Sequence, residues 1–100
     1  MFGALNYGEI PGYFNQADKD PWDVVVPGYT YKLPTGTKYK ITGLRGVYML
    51  PNGNHKLLVD IEHRKSEMND IKKDMFFYKR KYENFTKLRG SLVFFQEHNS

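Results

Sequence analysis

Residues 18–26 read Asp18-Lys19-Asp20-Pro21-Trp22-Asp23-Val24-Val25-Val26. Carboxylates stand at 18, 20 and 23, and the stiff proline and large aromatic between them mark a held turn rather than a loose acidic loop. The apolar triplet that follows has the composition of a buried strand. A turn pinned to a core strand can aim carboxylate oxygens at one point, and such oxygen ligands suit magnesium. A calcium loop fits poorly, because Trp22 stands where a third oxygen ligand belongs and the obligatory glycine is missing. A solvated acidic turn, or a single Asp acting as a cap, stays open on spacing alone.

Around this stretch the chain has 100 residues, enough for one domain spanning 1–100 that buries roughly two-thirds of its unfolded surface without covalent staples. It contains no cysteine, which excludes thiolate metal sites and cysteine nucleophiles and fits a reducing cytoplasm. No stretch reads as a signal peptide or a membrane span, so a cytoplasmic protein without a membrane partner is expected. The formal charge of +4 is spread through the chain and densest in its last forty residues, which favours anionic partners without choosing among them.

Asn6-Tyr7-Gly8 followed by Ile10-Pro11-Gly12 reads as an extended segment ending in a turn. Beyond the acidic turn, Pro27-Gly28 is expected to break the strand, Tyr29–Leu33 has strand composition, and Pro34-Thr35-Gly36 makes a turn. Thr37–Leu50 reads as one long or two short strands bent at Gly43 and Gly46. Pro51-Asn52-Gly53-Asn54 is a hairpin signal, and His55–Ile61 returns as a strand with Lys56 and Asp60 on one face. Ser66 is expected to cap a helix reaching about Thr86, with Met68, Ile71, Met75, Tyr78, Tyr82 and Phe85 on one stripe. Its other faces carry Lys72, Lys73, Lys79, Arg80 and Lys81, read as a solvated basic surface. Gly90 ends the helix region, and Leu92–Phe95 forms the last strand.

In this order the chain resembles the soluble, magnesium-dependent inorganic pyrophosphatases. The matching pieces are Asn6-Tyr7-Gly8-x-Ile10, Asp18-x-Asp20-Pro21-x-Asp23-Val24, Gly46-Val47 leading through a turn to Lys56, and a helix carrying a tyrosine before the final strand. The resemblance implies hydrolysis of pyrophosphate to phosphate with Mg2+, the cations neutralising the phosphates and making a water acidic enough to attack. It implies that Asp18 and Asp23 hold metal, that Asp20 holds metal and takes the proton of the water, and that Tyr7, Lys56 and Tyr82 contact phosphate oxygens.

The sequence also departs from the family. The family supplies a Lys, an Arg and acidic residues from upstream of its Asn-Tyr-Gly motif, whereas Asn6 lies five residues after Met1. Asn54 stands where a metal-binding Asp aligns, and Asp60 lies about 13 Å beyond Lys56 along the strand, too far for easy substitution. Glu83 rather than Lys follows Tyr82; aligning Tyr78-Lys79 instead keeps the dipeptide but strains the spacing. Full activity is therefore not expected, since each lost contact to the reacting phosphates costs about 3 kcal/mol or more.

The expected fold is α+β: a small twisted antiparallel β-barrel, OB-like and pyrophosphatase-type, with one long amphipathic helix. Missing first strands leave a sheet edge, from which a homo-oligomer or hetero-complex is expected. Two other functions stand beside hydrolysis. One is a non-catalytic interaction or assembly module on the same scaffold. The other, not favoured, is single-stranded nucleic-acid binding through Tyr29, Tyr31, Lys32, Lys38, Tyr39 and Lys40. His55, His63 and His98 lack zinc-site spacing and are read as surface or structural residues.

Overall fold

A computed structural model of the chain describes residues 4–14, 21–86 and 89–94, with side chains omitted at Ala4, at 12–14 and at 81–86. The elements are β1 (Ala4–Phe14), β2 (Pro21–Tyr29), β3 (Ile41–Met49), β4 (Lys56–Ile61), α1 (Met68–Thr86) and β5 (Ser91–Phe94). They form one five-stranded sheet in the order β1-β2-β4-β3-β5 with a single helix on one face, an α+β arrangement. No helix among the described residues is long and apolar enough to cross a membrane.

The expected antiparallel barrel is corrected in two respects. β2 and β4 run parallel, while every other pair is antiparallel, so the sheet is mixed. The order is also linear: β1 and β5 lie at opposite ends, and the sheet does not close among the described residues. The cause lies in the connection after β2. The β3–β4 hairpin is antiparallel within itself and inserts β4 beside β2 in β2's own direction, which requires a crossover rather than a tight turn.

That crossover overturns two local expectations. Pro27-Gly28 does not break β2, which runs through to Tyr29 with Gly28 at φ +93°. Tyr29–Leu33 is not a strand of its own, because residues 30–40 leave the sheet and fold across it. Asn6 holds them there: its Nδ2 donates to the Tyr31 carbonyl, and its Oδ1 accepts from the Leu33 amide at 2.8 Å. The Asn side chain thus takes the place of ladder bonds. The hairpin turn forms where expected, its Gly53 amide donating to the Leu50 carbonyl, but only Gly53 (φ +84°) and not Asn52 takes a positive φ, so it is not the Asn-Gly turn expected.

Strand alternation sends side chains to two cores. Leu5, Val25, Tyr48 and Leu58 meet Ile71, Met75 and Tyr78 of α1, while Val24, Val26, Tyr29, Val59 and Ile61 face the 30–40 segment. The helix stripe is borne out where it is described: Ile71, Met75 and Tyr78 are buried and Met68 half-buried, whereas the side chains of Tyr82 and Phe85 lie outside the described residues. Ser66 is not the cap expected of it. The helix begins at Met68, and the Ser66 hydroxyl instead donates to the Pro27 carbonyl at 2.9 Å.

The same end of the helix is tied to the sheet by charge. Asp74 accepts from the Gly28 amide at 2.8 Å, and Arg45 donates at 2.8 Å both to Asp60 and to the Ser66 carbonyl. Arg45 reaches this interior because β3 is bulged between Leu44 and Gly46, and an extra residue in a strand re-aims its side chain. Breaking a buried, hydrogen-bonded pair of this kind costs about 3–5 kcal/mol.

Candidate functional site

One row of residues crosses the sheet in register at the end opposite the Arg45–Asp60 pair: Glu9, Asp23, Lys56, Tyr48 and Leu92. Asp23 and Lys56 are brought together by the parallel pairing of β2 and β4, a contact that no local sequence signal announces. Lys56 Nζ lies 2.6 Å from Asp23 Oδ2, with the lysine side chain 11% exposed and the carboxylate 33% exposed. Because the lysine is buried, breaking this contact with nothing in its place costs more than the roughly 0–1 kcal/mol of an exposed pair. An incoming anion that accepts from the ammonium as it leaves Asp23 would replace one charge-assisted bond, worth roughly 1.5–3 kcal/mol, by another.

Tyr7 extends from β1 on the same sheet face. Its ring lies 5.7 Å from that of Tyr78, which packs edge-on against Tyr48 at 5.4 Å, and the Lys32 ammonium stands 5.8 Å above the Tyr7 ring. Tyr7 is 57% exposed while Tyr78 and Tyr48 are buried, so one phenol faces solvent from a fixed aromatic base. The helix tyrosine beside Tyr7 is thus Tyr78. Tyr82 sits one turn further along α1, with its side chain outside the described residues.

Asp18 and Asp20 lie outside the described residues, in the segment that joins the paired strand ends at Phe14 and Pro21. Among the described residues, no three His, Cys, Asp or Glu side chains gather to hold a metal ion. Of the three carboxylates expected to hold magnesium, Asp23 alone is among the described residues, and there it is paired with Lys56. Asn54 is half-buried in the hairpin turn, its amide donating to the Asn52 side chain. Asp60 is committed to Arg45 and to the Ser66 amide at the far end of its strand, and so takes no part in the Asp23–Lys56 end of the sheet.

The chain matches no family model, no curated protein and no solved structure. Any statement of what the site does therefore rests on its residues.

The remaining candidates separate clearly. His55 Nδ1 accepts from the Leu50 amide at 2.9 Å and so shapes the hairpin, while His63 is exposed beside Glu62. Of the aromatic residues considered for nucleic acid, Tyr29 is buried, Tyr39 is half-buried, and Tyr31 is exposed with its ring edge-on to Tyr29. Lys32 already donates to the Leu5 carbonyl. Burial pushes the Tyr29 phenol above its ordinary pKa, helped by Tyr31 beside it and opposed by Arg64. On this face of the sheet a cleft of about 620 Å³ opens between Asn6, Val24, Val26, Leu33, Lys38 and Tyr39.

The sequence reading passed over Glu9, Tyr48 and Arg45. Glu9 fills the variable position of the Asn-Tyr-Gly-x-Ile motif, yet the register places it directly opposite Asp23. Alternation along β1 was the signal available, since residues 5, 7 and 9 share a face.

Proposed function

We propose that this chain is a pyrophosphatase-like protein that binds magnesium pyrophosphate at the Asp23–Lys56 end of its sheet and hydrolyses it far more slowly than a complete multi-metal site would. The observation that carries this reading is the 2.6 Å contact of Lys56 with Asp23. It joins the ends of two separate motifs at the point where the Asp18–Asp20 segment enters β2. In this reading Lys56 leaves Asp23 for a phosphate oxygen, the exposed Tyr7 phenol donates to a second, and Asp23 with Asp18 and Asp20 is left to hold the cation. Magnesium, when bound, supplies charge neutralisation and lowers the pKa of water. Asp20 takes the proton. The OB-like, pyrophosphatase-type identity of the scaffold belongs to the same proposal, supported by a strongly bulged five-stranded sheet with one parallel pair and one helix across it.

The test pairs binding with turnover. Calorimetry with pyrophosphate and magnesium should show binding that Lys56→Met weakens by about 10- to 100-fold, the loss of one charge-assisted bond. Phosphate release should be slow and should disappear in Asp20→Asn. Binding without turnover in either protein would leave a non-catalytic module on this scaffold. Absence of magnesium-dependent pyrophosphate binding in the unaltered chain would overturn the proposal.

A further inference from the structure

Phe76 is 58% exposed on the side of α1 turned away from the sheet, and Phe77, 37% exposed, lies on the helix flank beside it. Neighbours at three and four residues along a helix surround a side chain, and for Phe76 these are Lys72, Lys73, Lys79 and Arg80. Lys72, Lys73 and Arg80 are exposed and Lys79 is half-buried. The Arg80 guanidinium stands 5.9 Å from the Phe76 ring. Of the acids of α1, Asp70 lies in the first turn and Asp74 is buried on the Gly28 amide, while Glu83 falls on the same face one turn beyond Lys79 and Arg80, so that cations outnumber acids around Phe76.

Phe76 takes no part in the core, to which this helix contributes Ile71, Met75 and Tyr78. A basic surface serving only solubility has no use for an exposed aromatic ring at its centre. Cations encircling an apolar summit complement a surface that is anionic outside and apolar beneath. The face is convex, and one side of the Phe76 ring is already taken by Arg80, which suits insertion between lipid head groups better than stacking of nucleotide bases.

We propose that the outer face of α1 is a docking surface for an anionic lipid bilayer, with Phe76 and Phe77 entering the interface and Lys72, Lys73, Lys79 and Arg80 bound to lipid phosphates and carboxylates. This is adsorption of a folded domain, unlike the membrane span that the sequence lacks, and it is independent of the Asp23–Lys56 site on the inner side of the helix.

The experiment is sedimentation of the full chain with vesicles of phosphatidylcholine containing 30% phosphatidylserine, beside vesicles of phosphatidylcholine alone. Binding is expected to the anionic vesicles only, to fall by about 10-fold or more in Phe76→Ala, and to be lost in the double variant Lys72→Glu, Lys73→Glu. Both variants alter exposed residues, and circular dichroism checks that they fold. Independently, the emission of Phe76→Trp should shift to the blue when anionic vesicles are added. No binding, equal binding to neutral vesicles, or binding unchanged by Phe76→Ala would overturn the proposal. So would tighter, phenylalanine-dependent binding to single-stranded polyuridylate, which would assign the face to nucleic acid.

Discussion

Gly28→Ala is expected to be among the most damaging single-methyl additions in this protein. Gly28 lies at φ +93°, in the region that costs a residue with a side chain about 1–2 kcal/mol. The added carbon would also sit 2.6 Å from Ser66 Oγ and 3.2 Å from Ser66 Cβ. Ser66 must then rotate, losing its bond to the Pro27 carbonyl and leaving buried polar atoms unsatisfied, at about 1–3 kcal/mol. Together these come to about 3 kcal/mol, a large share of the 5–15 kcal/mol typical of a domain. In urea unfolding the midpoint should fall by about 1–3 M, taking a slope of about 1–3 kcal/mol per M. Repeating the measurement in a Ser66→Ala background isolates the clash, because there the hydroxyl and its bond are already gone. The effect of Gly28→Ala should shrink by about 1 kcal/mol in that background. A loss below about 1 kcal/mol in the single variant, or strict additivity in the double, would refute the account of how this corner ties α1 to the sheet.

The raised pKa of Tyr29 makes a signed prediction. A phenol whose folded pKa exceeds its unfolded value keeps its proton longer in the native state, so its contribution is intact below the unfolded value of about 10 and is lost as pH rises beyond it. Denaturant midpoints of the unaltered chain should therefore fall more steeply above that pH than those of Tyr29→Phe, and parallel curves would contradict the assignment. At the sheet edge, β1 is guarded by Lys32, which donates to the Leu5 carbonyl, and by Pro11, which has no amide hydrogen to offer. Lys32→Ala should strengthen self-association in sedimentation equilibrium by exposing that carbonyl; unchanged or weaker association would show that the edge is not a pairing surface.

How much was legible beforehand follows from which forces are local. Periodicity placed Ile71, Met75 and Tyr78 on the buried stripe because helical spacing is fixed by the backbone. Gly53 announced its turn because few residues adopt positive φ cheaply. The 27–33 region failed for the converse reason. Pro27-Gly28 looks like a break when read alone, but the buried contacts of Asp74 and Ser66 hold it within β2. Tyr29–Leu33 looks like a strand, but Asn6, distant in sequence, satisfies its backbone elsewhere.

Composition and motif order by themselves determined that this chain carries acids, a lysine and tyrosines in an order similar to that of the soluble pyrophosphatases, and that one amphipathic helix follows the β-rich part. The tertiary structure decided which of them meet. Asp23 reaches Lys56 only because β4 enters the sheet parallel to β2, and Arg45 turns inward only because β3 is bulged. Phe76 stays outside because the stripe on the other side of the helix supplies the core contacts. Spacing along a strand or helix is set by bond geometry and can be read from one segment. Register between strands, and the choice of which face is covered, depend on the free energy of the whole packed chain, to which every distant residue contributes.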